Sequence, residues 1–183
     1  MHWDRRLGDL TAALLADREP GPDGPALTER DAEVAEQQVA EYAMVDLAGR
    51  LQASVGLSVG VRLVGGWRVL GVVVRAGEGW CLLTAAGGET VVRLAAVVEW
   101  QGLADAAVPG RARPVAARLG IGSVLRATVD PADQPRLHRV DGSTVTGVLG
   151  RVGADFVEVR VVGAAPGRLH VVPFTALAAV QRG

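Results

Sequence analysis

Gly56-Leu57-Ser58-Val59-Gly60 has the G-x-S-x-G spacing that can hold a serine hydroxyl clear of the backbone as a nucleophile. That chemistry needs a strand before the serine and a helix after it. Here the order is reversed: the residues before Ser58 have helical spacing and those after it read as a strand, so Ser58 is read as a turn residue. His2, His138 and His170 are widely separated, and each lacks a neighbouring cysteine or second histidine, so no metal-ligand spacing exists. His138 and His170 fall on strand-like segments and are expected on the surface of a sheet. Cys81 lies among Trp80, Leu82 and Leu83, the setting of a small buried hydrophobe, and as the single cysteine it has no internal disulfide partner. Gly120-Ile121-Gly122-Ser123 is too short a glycine pattern to cradle a phosphate, and nothing in the spacing positions a carboxylate pair. No catalytic residue, metal, cofactor or small-molecule substrate is expected.

Charge offers a second kind of chemistry. All 19 basic residues are arginine, and lysine and asparagine are absent, a bias that points to a GC-rich genome. Arg111, Arg113, Arg118, Arg126, Arg136 and Arg139 cluster in sequence, opposed by Asp130 and Asp133. On one face they would neutralise phosphates and give salt-dependent binding of RNA or DNA. Aromatic residues make up only 4% of the chain and none lies in that stretch, so platforms for stacking bases are scarce. The competing reading is a linker whose arginine stems cover apolar surface. Residues 1–56 hold eleven acids against five arginines (−6), whereas residues 57–183 hold nine against fourteen (+5). An acidic helical segment beside a mildly basic body suits self-association, and it also suits a plain solvated helix face.

The elements that must position these residues follow from periodicity. Trp3, Leu7, Leu10 and Leu14 have helical spacing and predict a short amphipathic helix, followed by a Pro/Gly linker, Arg18–Pro25. That helix either folds back on the body or docks in a partner's groove through its four apolar residues. A long helix is predicted next, with Thr28 as its N-cap, a stripe of Met44, Leu47, Leu51 and Val55, and Gly56 as its C-cap. From Leu57 the chain turns to valine-rich runs broken by glycine turns, which reads as several short strands. Pro114 fits the start of a further, interrupted helix that turns Val115, Leu119 and Val129 inward, and strands resume from Arg136 to Val180.

The strand region is written twice. A shift of 76 positions aligns Val64, Gly66, Val69, Gly71, Val72, Arg75 and Gly77 with Val140, Gly142, Val145, Gly147, Val148, Arg151 and Gly153, and Trp80 with Phe156. Val91–Glu99 parallels Val171–Val180 after a loop four residues longer, and a helix precedes each half. Gly66 and Gly142 stand where a tight hairpin needs positive φ, and Gly71 and Gly147 where a strand must bend sharply.

A helix followed by a five-stranded bent sheet, with Asp141-Gly142 and then Gly147-Val148-Leu149, resembles the Sm-like fold. Over residues 27 to 183 the chain is similar to a group of actinobacterial tandem Sm-like (small β-barrel) proteins of uncharacterised role. The resemblance implies ring formation and RNA binding. Where Sm-like proteins carry an acidic residue and an asparagine in the RNA pocket, this chain has Gly153 and Val157, and in the first half Gly77 and Cys81, so the resemblance does not extend to the pocket. Gly66–Val74 and Val171–Val180 suit a ribosome-maturation (PRC-type) barrel equally well.

The expected architecture is α+β, mainly β: two Sm-like or SH3-like small barrels in tandem, each preceded by a helix. Residues 1–26 form the helix and linker, 27–104 the first half and 105–183 the second. With no export signal and no apolar run long enough for a bilayer, a cytoplasmic protein is expected. Its expected role is non-catalytic interaction or assembly, with a protein partner or self-association. Nucleic-acid binding through the six arginines is the alternative.

Overall fold

A computed structural model of the chain describes residues 25–163 and 168–183. The anticipated N-terminal helix, with Trp3, Leu7, Leu10 and Leu14, lies outside the described residues. The rest falls into two units, residues up to Met44 and Val45–Gly183. The first contains α1 (Pro25–Ala43), on which Val34, Val39 and Tyr42 are exposed.

The second unit opens with a break that the apolar stripe did not foretell. Asp46 has an extended backbone, and its carboxylate accepts a 2.7 Å hydrogen bond from the Gly49 N–H, which starts a new helix, α2 (Leu47–Ala53). Arg113 pairs with the same carboxylate, and these two partners hold Asp46 below its ordinary pKa. Of the four stripe residues only Leu51 is buried; Met44, Leu47 and Val55 are exposed. Ser54, at the end of α2, donates to the Arg50 carbonyl and accepts from the Ala104 N–H, which ties the helix to the chain leaving the sheet.

Ten strands follow: β1 (Ser58–Leu63), β2 (Arg68–Gly77), β3 (Trp80–Ala85), β4 (Gly88–Arg93), β5 (Val97–Gln101), β6 (Arg136–Arg139), β7 (Thr144–Val152), β8 (Phe156–Val161), β9 (Leu169–Pro173) and β10 (Leu177–Arg182). Between β5 and β6 lie two short 3₁₀ turns and α3 (Ile121–Thr128). Val115, Leu119 and Val129 are exposed there, whereas Leu125 of α3 is buried in the core and Ile121 packs against it.

These strands form one antiparallel sheet in the order β5-β1-β2-β3-β4-β10-β6-β7-β8-β9. This corrects the expectation of two separate small barrels: the protein is mainly β, with a single open ten-stranded sheet and three short helices among the described residues. The repeat survives inside it, since the order 5-1-2-3-4 recurs as 10-6-7-8-9. What changes the architecture is the outer edge of β4. Its unpaired N–H and C=O groups require partners, and β10 supplies them through Val92–Ala179, Val91–Val180, Thr90–Gln181 and Glu89–Arg182.

β10 also pairs with β6, with an irregularity between Leu177 and Ala179. Its side chains therefore serve two cores. Ala178 and Ala179 join Leu51, Val61, Leu63, Val73, Leu83 and Val92, whereas Leu177 and Val180 join Leu125, Leu137, Leu149, Val157 and Val159. α2 packs on β2 and α3 on β7, so each half places its helix on its long strand.

The repeated glycines have different causes. Gly66 and Gly142 have φ of +84° and +83°, as the tight turns require. Gly77 and Gly153 are constrained by space instead: a Cβ on either would lie 2.4 Å from the ring of Trp80 or Phe156. Trp80 is fully enclosed and donates its indole N–H to the Leu119 carbonyl at 2.6 Å, so its ring has no room to yield. Phe156 is only half-buried. Gly77→Ala is therefore expected to lower stability by about 1–3 kcal/mol, and Gly153→Ala by less. Urea unfolding of the two variants measures this, and equal losses would show that the indole tie is without effect.

Candidate interaction surface

An open sheet leaves two strands with one unpaired side each. Among the described residues nothing pairs with the outer side of β5 or the outer side of β9. Val98 on β5, and Leu169 and Val171 on β9, are exposed. The repeat supplies the reference for these edges. β5 is the counterpart of β10, and β9 is the counterpart of β4. In the closed joint Val91 is 4% exposed, whereas its counterpart Val171 is 57% exposed. The difference is what pairing with β10 covers at the Val91 position.

The face beside the β5 edge is apolar and hollow. Leu70 on β2 is 78% exposed and stands opposite Gly60 of β1, which in turn pairs with Gln101 of β5. A groove of about 170 Å³ runs there, bordered by Arg62, Arg68 and Glu99. Glu99 is fixed by Gln101 at 2.8 Å and Arg62 at 2.7 Å, and these bonds hold its carboxyl below the ordinary range, Gln101 having the larger effect. Val72 and Val74 extend the exposed apolar row along β2. At the corresponding place in the second half, Arg136, Thr146 and Gln181 replace Gly60, Leu70 and Gln101, and they line a groove with Gly87, Gln134 and Gly183. One half is apolar where the other is polar.

The arginines that are neighbours in sequence are divided in space. Arg113 donates to the Val108 carbonyl and pairs with Asp46; with Arg118 it lines a groove that also contains Asp46 and Glu78. Arg126 caps the end of β7 by donating to the Val152 and Gly153 carbonyls. Arg136 lies on the polar groove beside β10, and the Nε of Arg139 is buried. Arg111 is exposed. The structure thus brings Arg113 and Arg118 together and assigns Arg126, Arg136 and Arg139 to other parts of the sheet.

Ser58 begins β1 and is exposed, in a strand rather than a turn. Burial pushes the Cys81 thiol up to about 12, so it stays protonated at neutral pH. No group of three or more His, Cys, Asp or Glu able to hold a metal occurs among the described residues, and no helix of theirs is long and apolar enough to cross a membrane. Arg151 grips Glu158 with two bonds of 2.9 and 2.7 Å, holding that carboxyl below its ordinary range.

His138 is the residue that sequence reasoning misplaced. It is 7% exposed, not on the surface, because Trp67 from the β1–β2 turn stacks on its ring at 3.5 Å and 4°. The two equivalent hairpin turns meet beside it, with Gly65 packed so closely on Gly142 that a Cβ would lie 2.7 Å from its backbone. No local signal announces this contact, since Trp67 and His138 lie in different halves.

No protein-family model matches the chain, and no curated protein matches it.

Burial, reinforced by Arg136 and opposed by the hydrogen bond to Gln181, holds the His138 imidazole below its ordinary 6.5. As pH falls through that value the unfolded chain takes up a proton that the folded chain resists. The stabilisation is therefore complete above about pH 6.5 and declines as pH falls toward the lower folded value. Melting temperatures measured from pH 7 down to 5 are expected to fall less steeply in His138→Phe than in the parent; parallel curves would remove His138 as the cause.

Proposed function

We propose that this chain is a non-catalytic interaction and assembly protein that adds protein strands to the open edges of its sheet. The observation that carries this reading is the β4–β10 joint, in which one half of the chain completes the other by edge-to-edge pairing. The outer sides of β5 and β9 offer the same kind of edge. Backbone N–H and C=O groups on such an edge supply affinity for an extended segment, and alternate side chains supply selectivity. Val98 and Val171 would make the first contacts, and the apolar row of Leu70, Val72 and Val74 lies on the face beside β5. Natural proteins blunt exposed edges with charge or proline. Here Pro173 closes one end of β9, but Leu169 and Val171 before it remain apolar and uncovered.

Photo-crosslinking in the cell tests this reading. A photoreactive residue at Val98 or Val171 is expected to form discrete protein adducts, and one at Val115, more exposed but outside the sheet, to form few. Adducts of the same abundance at all three positions, or at none, would sink the reading.

A further inference from the structure

The polar groove at the seam is built from both halves of the chain. Gln181 of β10, Arg136 of β6 and Thr146 of β7 are direct cross-strand partners, so their side chains stand in one row on one face of the sheet. Gln134, just before β6, lines the groove with them. Gly87, between β3 and β4 of the first half, and Gly183 complete it, and it measures about 260 Å³.

The polar groups of this groove are largely uncommitted. Arg136 is exposed, and it has no hydrogen bond and no ion pair with a side-chain or terminal carboxylate among the described residues. The side chains of Gln134 and Thr146 are equally free among those residues. Gln181 is held loosely: its Nε2 donates to the Gly87 carbonyl at 3.4 Å, and its Oε1 meets His138 Nε2 at 3.4 Å. Both distances exceed the usual range of about 2.7–3.2 Å, so a closer partner can draw the amide away. No acidic side chain lines the groove, and Asp133, the residue before Gln134, is taken by Arg182.

The shared backbone does not demand this chemistry. At the matching place in the first half, Gly60 and Leu70 form an apolar hollow, and Arg62 there is spent on Glu99. In the second half the row even extends one strand further, to Thr90 opposite Gln181. Thr90 is fully buried, and its Oγ1 has no hydrogen-bond partner among the described residues. The row thus holds more hydrogen-bonding groups than the protein itself satisfies, a deficit that calls for a cause.

We propose that this groove binds a small organic carboxylate that carries hydroxyl groups. The Arg136 guanidinium takes the carboxylate through paired N–H donors. The Gln134 and Gln181 amides and the Thr146 hydroxyl, which donate and accept alike, take the ligand's hydroxyls. One arginine matches one negative charge, and the groove's size admits a ligand of few carbon atoms. No aromatic ring lines the groove, so a nucleic-acid base has no platform there. Gly87 belongs to the first half and Arg136 and Thr146 to the second, so the ligand bridges the seam and stabilises the joined sheet. The site uses a face of the sheet and neither open edge, so strand addition and ligand binding stand or fall separately.

Gln181 also supplies a reporter, because its other contact is His138, stacked on Trp67 at 3.5 Å. The test is nuclear magnetic resonance of the isotope-labelled full chain, titrated with D-glycerate and D-gluconate. Both are expected to shift the Gln181 side-chain amide and the His138 ring saturably and to raise the melting temperature. Acetate has the charge without the hydroxyls, and glycerol the hydroxyls without the charge. Each is expected to bind more weakly by about tenfold or more. Arg136→Gln is expected to abolish the shifts and Thr146→Val to weaken them, with melting curves unchanged in the absence of ligand. Arg68→Gln, on the groove of the first half, is expected to leave binding intact. If Arg136→Gln fails to fold, Thr146→Val and the comparison ligands decide. No saturable shift with either hydroxy acid, or shifts that survive Arg136→Gln, overturn the site. Acetate or inorganic phosphate binding as tightly as glycerate overturns the ligand class.

Discussion

β10 is hydrogen-bonded on both sides, to β4 and to β6, and its side chains divide between two hydrophobic cores. A regular strand alternates its side chains strictly. The irregularity at Ala178 breaks that alternation, so that Ala178 and Ala179 both serve the first core while Leu177 and Val180 serve the second. The rest of the architecture depends on this strand. Removing it would expose Val91, Val92 and Thr90 on one side and Leu137 on the other, all of them buried. The stacked Trp67 and His138, the touching turns at Gly65 and Gly142, and the Arg93 guanidinium on the Thr175 and Leu177 carbonyls reinforce the same seam.

The two halves have kept their backbone and changed their surfaces. The bend glycines Gly71 and Gly147 both press on a carbonyl of the next strand, and Gly77 and Gly153 both make room for an aromatic ring. Around that frame the chemistry differs. Trp80 has an indole N–H that binds the segment leading to the second half, whereas Phe156 has no such donor. Leu70 and Gly60 make an apolar hollow where Thr146 and Arg136 make a polar one. The polar version sits beside the joint already occupied by β4, and the apolar version beside an open edge. A duplicated half-sheet needs this asymmetry if one of its edges is to be satisfied within the chain and the other is not.

Much of the frame was legible in the sequence because it is local. Glycine at a positive-φ turn and valine-rich strand runs act over a few residues, and both appeared where expected, at Gly66 and Gly142 and in the strands from Ser58 onward. Cys81 and Leu51 were buried as their neighbours implied. The joint was not legible, because edge pairing is made by backbone groups common to all residues; Val91-Val92 and Ala178-Ala179 would serve equally well in a closed barrel. The break before α2 was hidden because Leu47 and Leu51 continue the spacing of the preceding helix, and only the Asp46 side chain, by capping Gly49, interrupts it. His138 was misread because the ring that buries it comes from the other half. The arginine cluster holds together only in part, since Arg113 and Arg118 share a groove whereas α3 and the strands carry Arg126, Arg136 and Arg139 to other parts of the fold.

The order of synthesis gives the joint one further consequence. A ribosome makes β4 early and β10 only after the whole second half has been made. During that interval the nascent first half presents Val91 and Val92 on an unfinished rim, the type of surface that captures neighbouring nascent chains. The strand separation also makes this the slowest ladder to close, because ordering the intervening loop precedes any reward from pairing. Until β10 is made, the β4 rim therefore lacks the strand that covers it in the finished fold.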